Sequence, residues 1–250
     1  MMNNMTPTVK QLLIINIIFF LGSIVVPNAE HLLALYYFEN PSFKIWQPVT
    51  HMFMHGGLMH IAFNMFALVS FGSLLENISG GKKFLFFYFS CGLGAALVHS
   101  GMNYYYFHDS LNILTAHGNT TQDVLKILAD EKYNTSWQEV LSTSQFDNLM
   151  SSFSVPAVGA SGAIYGLLIA FAFMFPNAEL ALMFIPVPVK AKYFVPIFML
   201  LYDGLFGIFG NSFFGINSGV AHYAHIGGAL IGFIIMWYWK KNAFNNKRWN

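Results

Sequence analysis

The chain has 250 residues, of which 56% are hydrophobic and only 9% charged. Soluble domains carry about 25% charged residues, so this composition excludes an ordinary water-facing surface and points to the bilayer as solvent. A net charge of +1 excludes bulk attraction to nucleic acid, and the single cysteine, Cys91, excludes an intramolecular disulfide and reads as a packing residue.

A bilayer-crossing helix needs about 20 mainly apolar residues. Six stretches qualify in chain order: 11–27, 57–76, 84–103, 157–175, 192–210 and 220–239. The first follows Lys10 and imitates a secretory leader, but Val26-Pro27-Asn28-Ala29 lacks the small-residue pattern of a cleavage site, so it is read as a retained span. Residues 28–56 carry Leu32, Leu33, Tyr36, Tyr37, Phe43 and Trp46, which suits a segment lying in the outer interface. Residues 104–156 are polar and too long for a tight connection, which implies an external lobe or a mobile loop, with 122–132 as one amphipathic helix. Pro186, Pro188 and Pro196 are expected to shape the start of the fifth span. Period-2 alternation suited to a barrel is absent, so the spans are expected to be helices.

Cations mark one side of this layout: Lys10, Lys82 and Lys83, Lys190 and Lys192, then Lys240, Lys241, Lys247 and Arg248. The insert on the other side is rich in acid, with Asp109, Asp123, Asp130, Glu131, Glu139 and Asp147. The positive-inside bias places both termini in the cytoplasm. The expected architecture is one all-α membrane domain over 1–250, a bundle of six transmembrane helices with 104–156 as a polar external insert, in a bacterial inner membrane.

Polar side chains within apolar spans are costly, so each asks for a reason. His60 and Asn64 lie four apart on one face near the outer end of the second span. Ser161 falls in the first turns of the fourth span, where backbone N–H groups lack partners and can bind developing negative charge; Tyr165 shares its face one turn deeper. His225 lies at a comparable depth in the sixth span. Gly162 with Gly166, and Gly228 with Gly232, make small-xxx-small faces that let helices approach closely. Such an approach is what brings a serine hydroxyl within about 3 Å of an imidazole.

Gly159-Ala160-Ser161-Gly162 resembles the GxSG motif of the rhomboid family. His60 through Asn64 resembles its HxxxN motif, and Ala224-His225 through Gly228 and Gly232 its AHxxGxxxG motif, in the family's order on the second, fourth and sixth spans. The resemblance implies a serine protease that cuts transmembrane proteins near the outer membrane boundary, without cofactor or metal. Ser161 would be the nucleophile and His225 the base and later the acid, a dyad without a required carboxylate. The side chains of His60 and Asn64 and the Ser161 N–H would hold the oxyanion. Gly159 and Gly162 would support the nucleophile, and Tyr165 would pack beneath the His225 ring. Phe63, Phe194, Phe198 and Phe206 would line the side where a substrate helix enters. The sequence departs from the family in two places: Trp46-Gln47 stands where many members have Trp-Arg, and the 104–156 insert is atypical.

Two other classes compete. One is a catalytically silent relative that only binds transmembrane clients. The other is a haem or metal protein using His51, His55, His60, His222 and His225; no carboxylate accompanies His51 and His55, and no His-Glu-x-x-His occurs. His222 reads as a structural hydrogen-bonder, and Asp203 as an interfacial residue at the outer end of the fifth span.

Overall fold

Helix α1 (Pro7–Val25) starts on a proline, whose missing N–H falls where a helix has no partner for it, and stops short of Pro27. The computed structural model describes residues 5–182, 185–199, 201, 203 and 222–242. The first-turn donors of α1 are satisfied from the second span: Glu76 accepts from Thr8 N at 3.0 Å, Val9 N at 2.9 Å and the Thr6 hydroxyl at 2.5 Å. A buried carboxylate thus caps a helix N-terminus, where negative charge is favoured.

The first loop holds two short helices, α2 (Ala29–Leu33) and α3 (Gln47–Thr50), and a 3₁₀ turn at His51–Phe53. The second span is one helical run, α4 (Leu58–Ala67), a π turn (Leu68–Gly72) and α5 (Ser73–Ser79). Helix α6 (Gly81–Ala116) follows. Pro7–Val25, Leu58–Ser79 and Gly81–Ala116 are each long and apolar enough to cross a membrane, by length and composition. Beyond them lie α7 (Thr121–Ala129), α8 (Trp137–Val140), α9 (Thr143–Ser154), the apolar α10 (Ser161–Met174), α11 (Ala191–Met199) and α12 (His222–Asn242). Helix α10 packs on both α6 and α12, and buries Ala163, Ile164, Leu167 and Ala170 in a core shared with Phe84, Phe87 and Cys91.

Two expectations are corrected here. The third helix does not end at 103; it continues unbroken to Ala116. The rise in polarity at 104 marks a change of solvent rather than of backbone. No Gly or Pro interrupts 102–117, and the apolar residues Phe107, Leu111 and Leu114 keep helical spacing. Those three are buried against Val124, Trp137 and Phe153, so the insert is a folded helical lobe with its own core. Its helix α7 covers most of the expected 122–132 segment and is capped by the Thr120 hydroxyl, which accepts from Asp123 N at 3.1 Å.

The second correction concerns an all-helical fold. The connection after α10 is an antiparallel hairpin of β1 (Glu179–Leu182) and β2 (Ile185–Lys190), which pairs Glu179 with Lys190 and Leu180 with Val189. Pro186 and Pro188 therefore sit in a strand instead of introducing a helix. A two-stranded hairpin consists of edges only, where a missing N–H is tolerated. Pro196 lies inside α11. Most of the remaining fifth span, including Phe206, falls outside the described residues.

Candidate active site

Ser161 is the first residue of α10, delivered by an extended segment that the first loop clamps. Leu35 and Ala157 exchange both backbone hydrogen bonds at 2.9 Å, and Gly159 N donates to His51 O at 2.9 Å. The clamp is anchored by Gln47, fully buried, whose amide nitrogen donates to Ser42 O at 2.9 Å and lies 3.4 Å from both His31 O and Leu32 O. Its carbonyl oxygen accepts from Tyr36 N at 3.3 Å. A glutamine that satisfies four backbone groups of one loop is what the Trp46-Gln47 departure supplies.

Helix α10 has 14 residues, about 21 Å of rise, against a hydrocarbon core of about 30 Å. Ser161 thus begins a helix shorter than that core is thick. Gly159 has φ +127, a backbone state that side chains disfavour. A Cβ there would also stand 2.9 Å from His60 Nε2 and 3.5 Å from Ser161 Oγ. The space above Gly159 is thus shared by the serine hydroxyl and the His60 ring.

The second side of the site comes from α12. A Cβ on Gly228 would overlap the Gly162 carbonyl, and one on Gly232 would stand 2.8 Å from Gly166 Cα. Backbones this close bring His225 Nε2 to 2.9 Å from Ser161 Oγ. The Tyr165 ring stacks on His225 with centroids 4.3 Å apart and planes 11° apart.

From α4, Gly56 N lies 3.4 Å from His60 Nδ1, which orients His60 Nε2 toward Ser161 as a donor. Asn64 is buried, and its side-chain nitrogen has no acceptor among the described residues. A buried donor without an acceptor normally costs about 1–3 kcal/mol. Burial pushes the His51 imidazole down to about 4, and burial with the neighbouring His60 ring does the same for His55. Both rings are neutral in the first loop. Between His51, His99, Ala95, Gly159 and Ser161 lies a cavity of about 20 Å³ measured at water centres, room for about one water.

Ser161, His225, His60, Tyr165, Gly159 and Gly162 are thus brought together, and Asn64 lies buried one turn beyond His60 on α4. Phe194 and Phe198 stack at 5.9 Å on α11, and Phe63 on α4 is 54% exposed. Asp203 is a correction. Read from the sequence as interfacial, it is fully buried, with Oδ1 2.7 Å from Nδ1 of both His222 and His225. Depth along a span does not say which way a side chain points, and the proline-broken fifth span offered no helical phase from which to read it. An acid about twenty residues before two histidines at i, i+3 was the available signal. The arrangement also departs from a bare dyad. Among the described residues, Asp203, His222 and His225 are the one group of His, Cys, Asp or Glu side chains close enough together to share a metal ion, and His51, His55 and His60 do not join it. Its 2.7 Å N–O separations are hydrogen-bond distances, with ring protons between.

The Rhomboid domain profile matches residues 42–242. The chain is 27% identical over 85% of its length to the mitochondrial presenilin-associated rhomboid-like protein of Mus musculus, covering 43% of that protein. It is 25% identical over 76% of its length to Rhomboid protein 1, mitochondrial, of Saccharomyces cerevisiae, covering 40%. Against Rhomboid protease AarA of Providencia stuartii it is 28% identical over 76% of its length, covering 54%. The chain spans about half the length of these relatives or less. With the profile running from the first loop through the last described helix, this apolar chain is an integral membrane protein and belongs to the rhomboid family.

Proposed function

We propose that the chain is an intramembrane serine endopeptidase that hydrolyses transmembrane proteins near the outer membrane boundary. The observation that carries the reading is the 2.9 Å contact between Ser161 Oγ and His225 Nε2 at the start of α10. As Ser161 Oγ bonds to the scissile carbonyl carbon, its proton passes to His225 Nε2. The carbonyl oxygen becomes an oxyanion facing the Ser161 N–H, His60 Nε2 and the Asn64 amide. Its collapse expels the amine, which takes the proton from His225 and leaves an acyl-enzyme. Water then attacks the acyl carbon, giving its proton to His225; the bond to Ser161 Oγ breaks, the serine takes that proton back and the carboxylic acid product leaves. The small cavity beside Ser161 offers a place for that water.

Six spans with both termini on the cation-rich side complete the reading, and the charge distribution supports it. Substrate helices would approach past Phe63, Phe194 and Phe198. The bacterial inner membrane expected from charge bias gains no support from the relatives whose names are mitochondrial. The test is cleavage of model single-span substrates by the purified chain in detergent and liposomes. Wild type is expected to cut, and Ser161→Ala and His225→Ala to be inactive while remaining folded. Failure of wild type across several substrates would favour a silent relative that only binds transmembrane clients.

A further inference from the structure

We propose that Asp203 is a positioning residue for His225, so that a buried carboxylate backs the Ser161–His225 pair through the Nδ1 side of the ring. This rests on the hydrolytic reading above and extends it.

Asp203 Oδ1 faces two ring nitrogens at 2.7 Å. One oxygen carries at most one proton, so at least one imidazole must donate to it; when the carboxylate is ionised, both do. A fully buried carboxylate is costly alone, and two N–H donors offset that cost. His222 and His225 lie three apart on α12 and so share a face, which lets one carboxylate bridge them. Donation from His225 Nδ1 leaves the lone pair on Nε2, the atom 2.9 Å from Ser161 Oγ. When Nε2 takes the serine proton, the imidazolium stands beside Asp203, which keeps its own charge throughout. The proton later leaves from Nε2 to the amine, and no proton need pass to the carboxylate.

The other titratable groups facing His225 are Tyr165, stacked at 4.3 Å, and His222, with ring centroids 6.2 Å apart. His60 on α4 and His99 on α6 also interact with it electrostatically. Among these described groups, only Asp203 carries a carboxyl. His222 meets the same carboxylate oxygen through its own Nδ1, and no described contact joins it to the serine.

The experiment compares Asp203→Asn, Asp203→Glu and His222→Gln with wild type and Ser161→Ala, using the full chain and a model single-span substrate. Asp203→Asn is expected to lower kcat about 100-fold or more, with KM changed less than about threefold and the acid limb of the pH–rate profile moved to lower pH. Asp203→Glu should recover about tenfold or more of that loss, and His222→Gln should stay within about tenfold of wild type. An Asn variant within about threefold of wild type, with an unmoved pH profile, would overturn the proposal. So would a His222→Gln loss as deep as that of His225→Ala.

A second readout needs no turnover and no active serine. Nitrogen NMR of histidine-labelled Ser161→Ala protein should show His225 with its proton on Nδ1, and Asp203→Asn in that background should shift it. A tautomer indifferent to Asp203 would overturn the inference even if wild type cleaves. A tautomer set by Asp203 in a chain that cuts nothing would uphold the positioning and remove the protease reading instead.

Discussion

Asn64 presents a buried amide nitrogen with no acceptor among the described residues, and His60, one turn before it on α4, places Nε2 in the space above Gly159. Donors fixed before the reaction need no reorganisation when charge develops, which is why a single oxyanion donor is worth roughly 10²–10³ in rate. Asn64→Ala and His60→Ala should each slow single-turnover cleavage by about that factor without abolishing it. Unchanged rates in both would remove the oxyanion assignment. The residues of this cluster were legible because Ser, His and His/Asn stood at one depth on three apolar stretches, each too polar for its surroundings. Asp203 was not legible. Its stretch is broken by Pro196, so neither its helical face nor its burial could be read from spacing. Gln47 was visible only as a departure, since nothing in the sequence says that one amide meets four backbone groups.

At the scale of elements, the site depends on how closely α10 and α12 run. A Cβ on Gly228 meets the Gly162 carbonyl, a backbone atom that cannot rotate away. Gly228→Ala should therefore separate the helices, costing about 1–3 kcal/mol of stability. It should also lower kcat about 10²-fold, because a 1 Å displacement of His225 from Ser161 is enough to do so. Thermal melts and cleavage rates check both effects; a fully active, equally stable variant would show that the close approach is dispensable. The small-xxx-small spacing made this pairing legible. The length of α6 and the hairpin were not, for opposite reasons. Hydropathy falls at 104 while helix-forming sequence continues, and prolines near 186–188 suit a two-edged strand as well as a helix start.

Over the whole molecule, the first loop joins the apolar helical core to the lobe built from residues 104–156. Tyr37 belongs to the lobe's core, Glu39 Oε1 lies 3.0 Å from His108 Nε2, and the Asn40 amide donates to Phe153 O at 2.8 Å. The same loop clamps the segment before Ser161, so its integrity governs both parts. Its neutral histidines make it acid-sensitive. His51 and His55 are held at about 4 in the fold, against about 6.5 when unfolded. The unfolded chain therefore binds more protons in between, and stability present above about pH 6.5 is lost as pH falls toward 4. Thermal midpoints in detergent should drop between about pH 6.5 and 5, above the range where carboxylates titrate, and a His51→Gln/His55→Gln variant should flatten that slope. An identical slope in the variant would mean that other groups carry it.

The account turns on an activated hydroxyl within the membrane, and covalent labelling by a fluorophosphonate probe tests that most directly. Wild-type chain is expected to be labelled at Ser161, with labelling lost in Ser161→Ala and in His225→Ala. Equal labelling of the Ser161→Ala protein, or none of the wild type under conditions where it is folded, would contradict it.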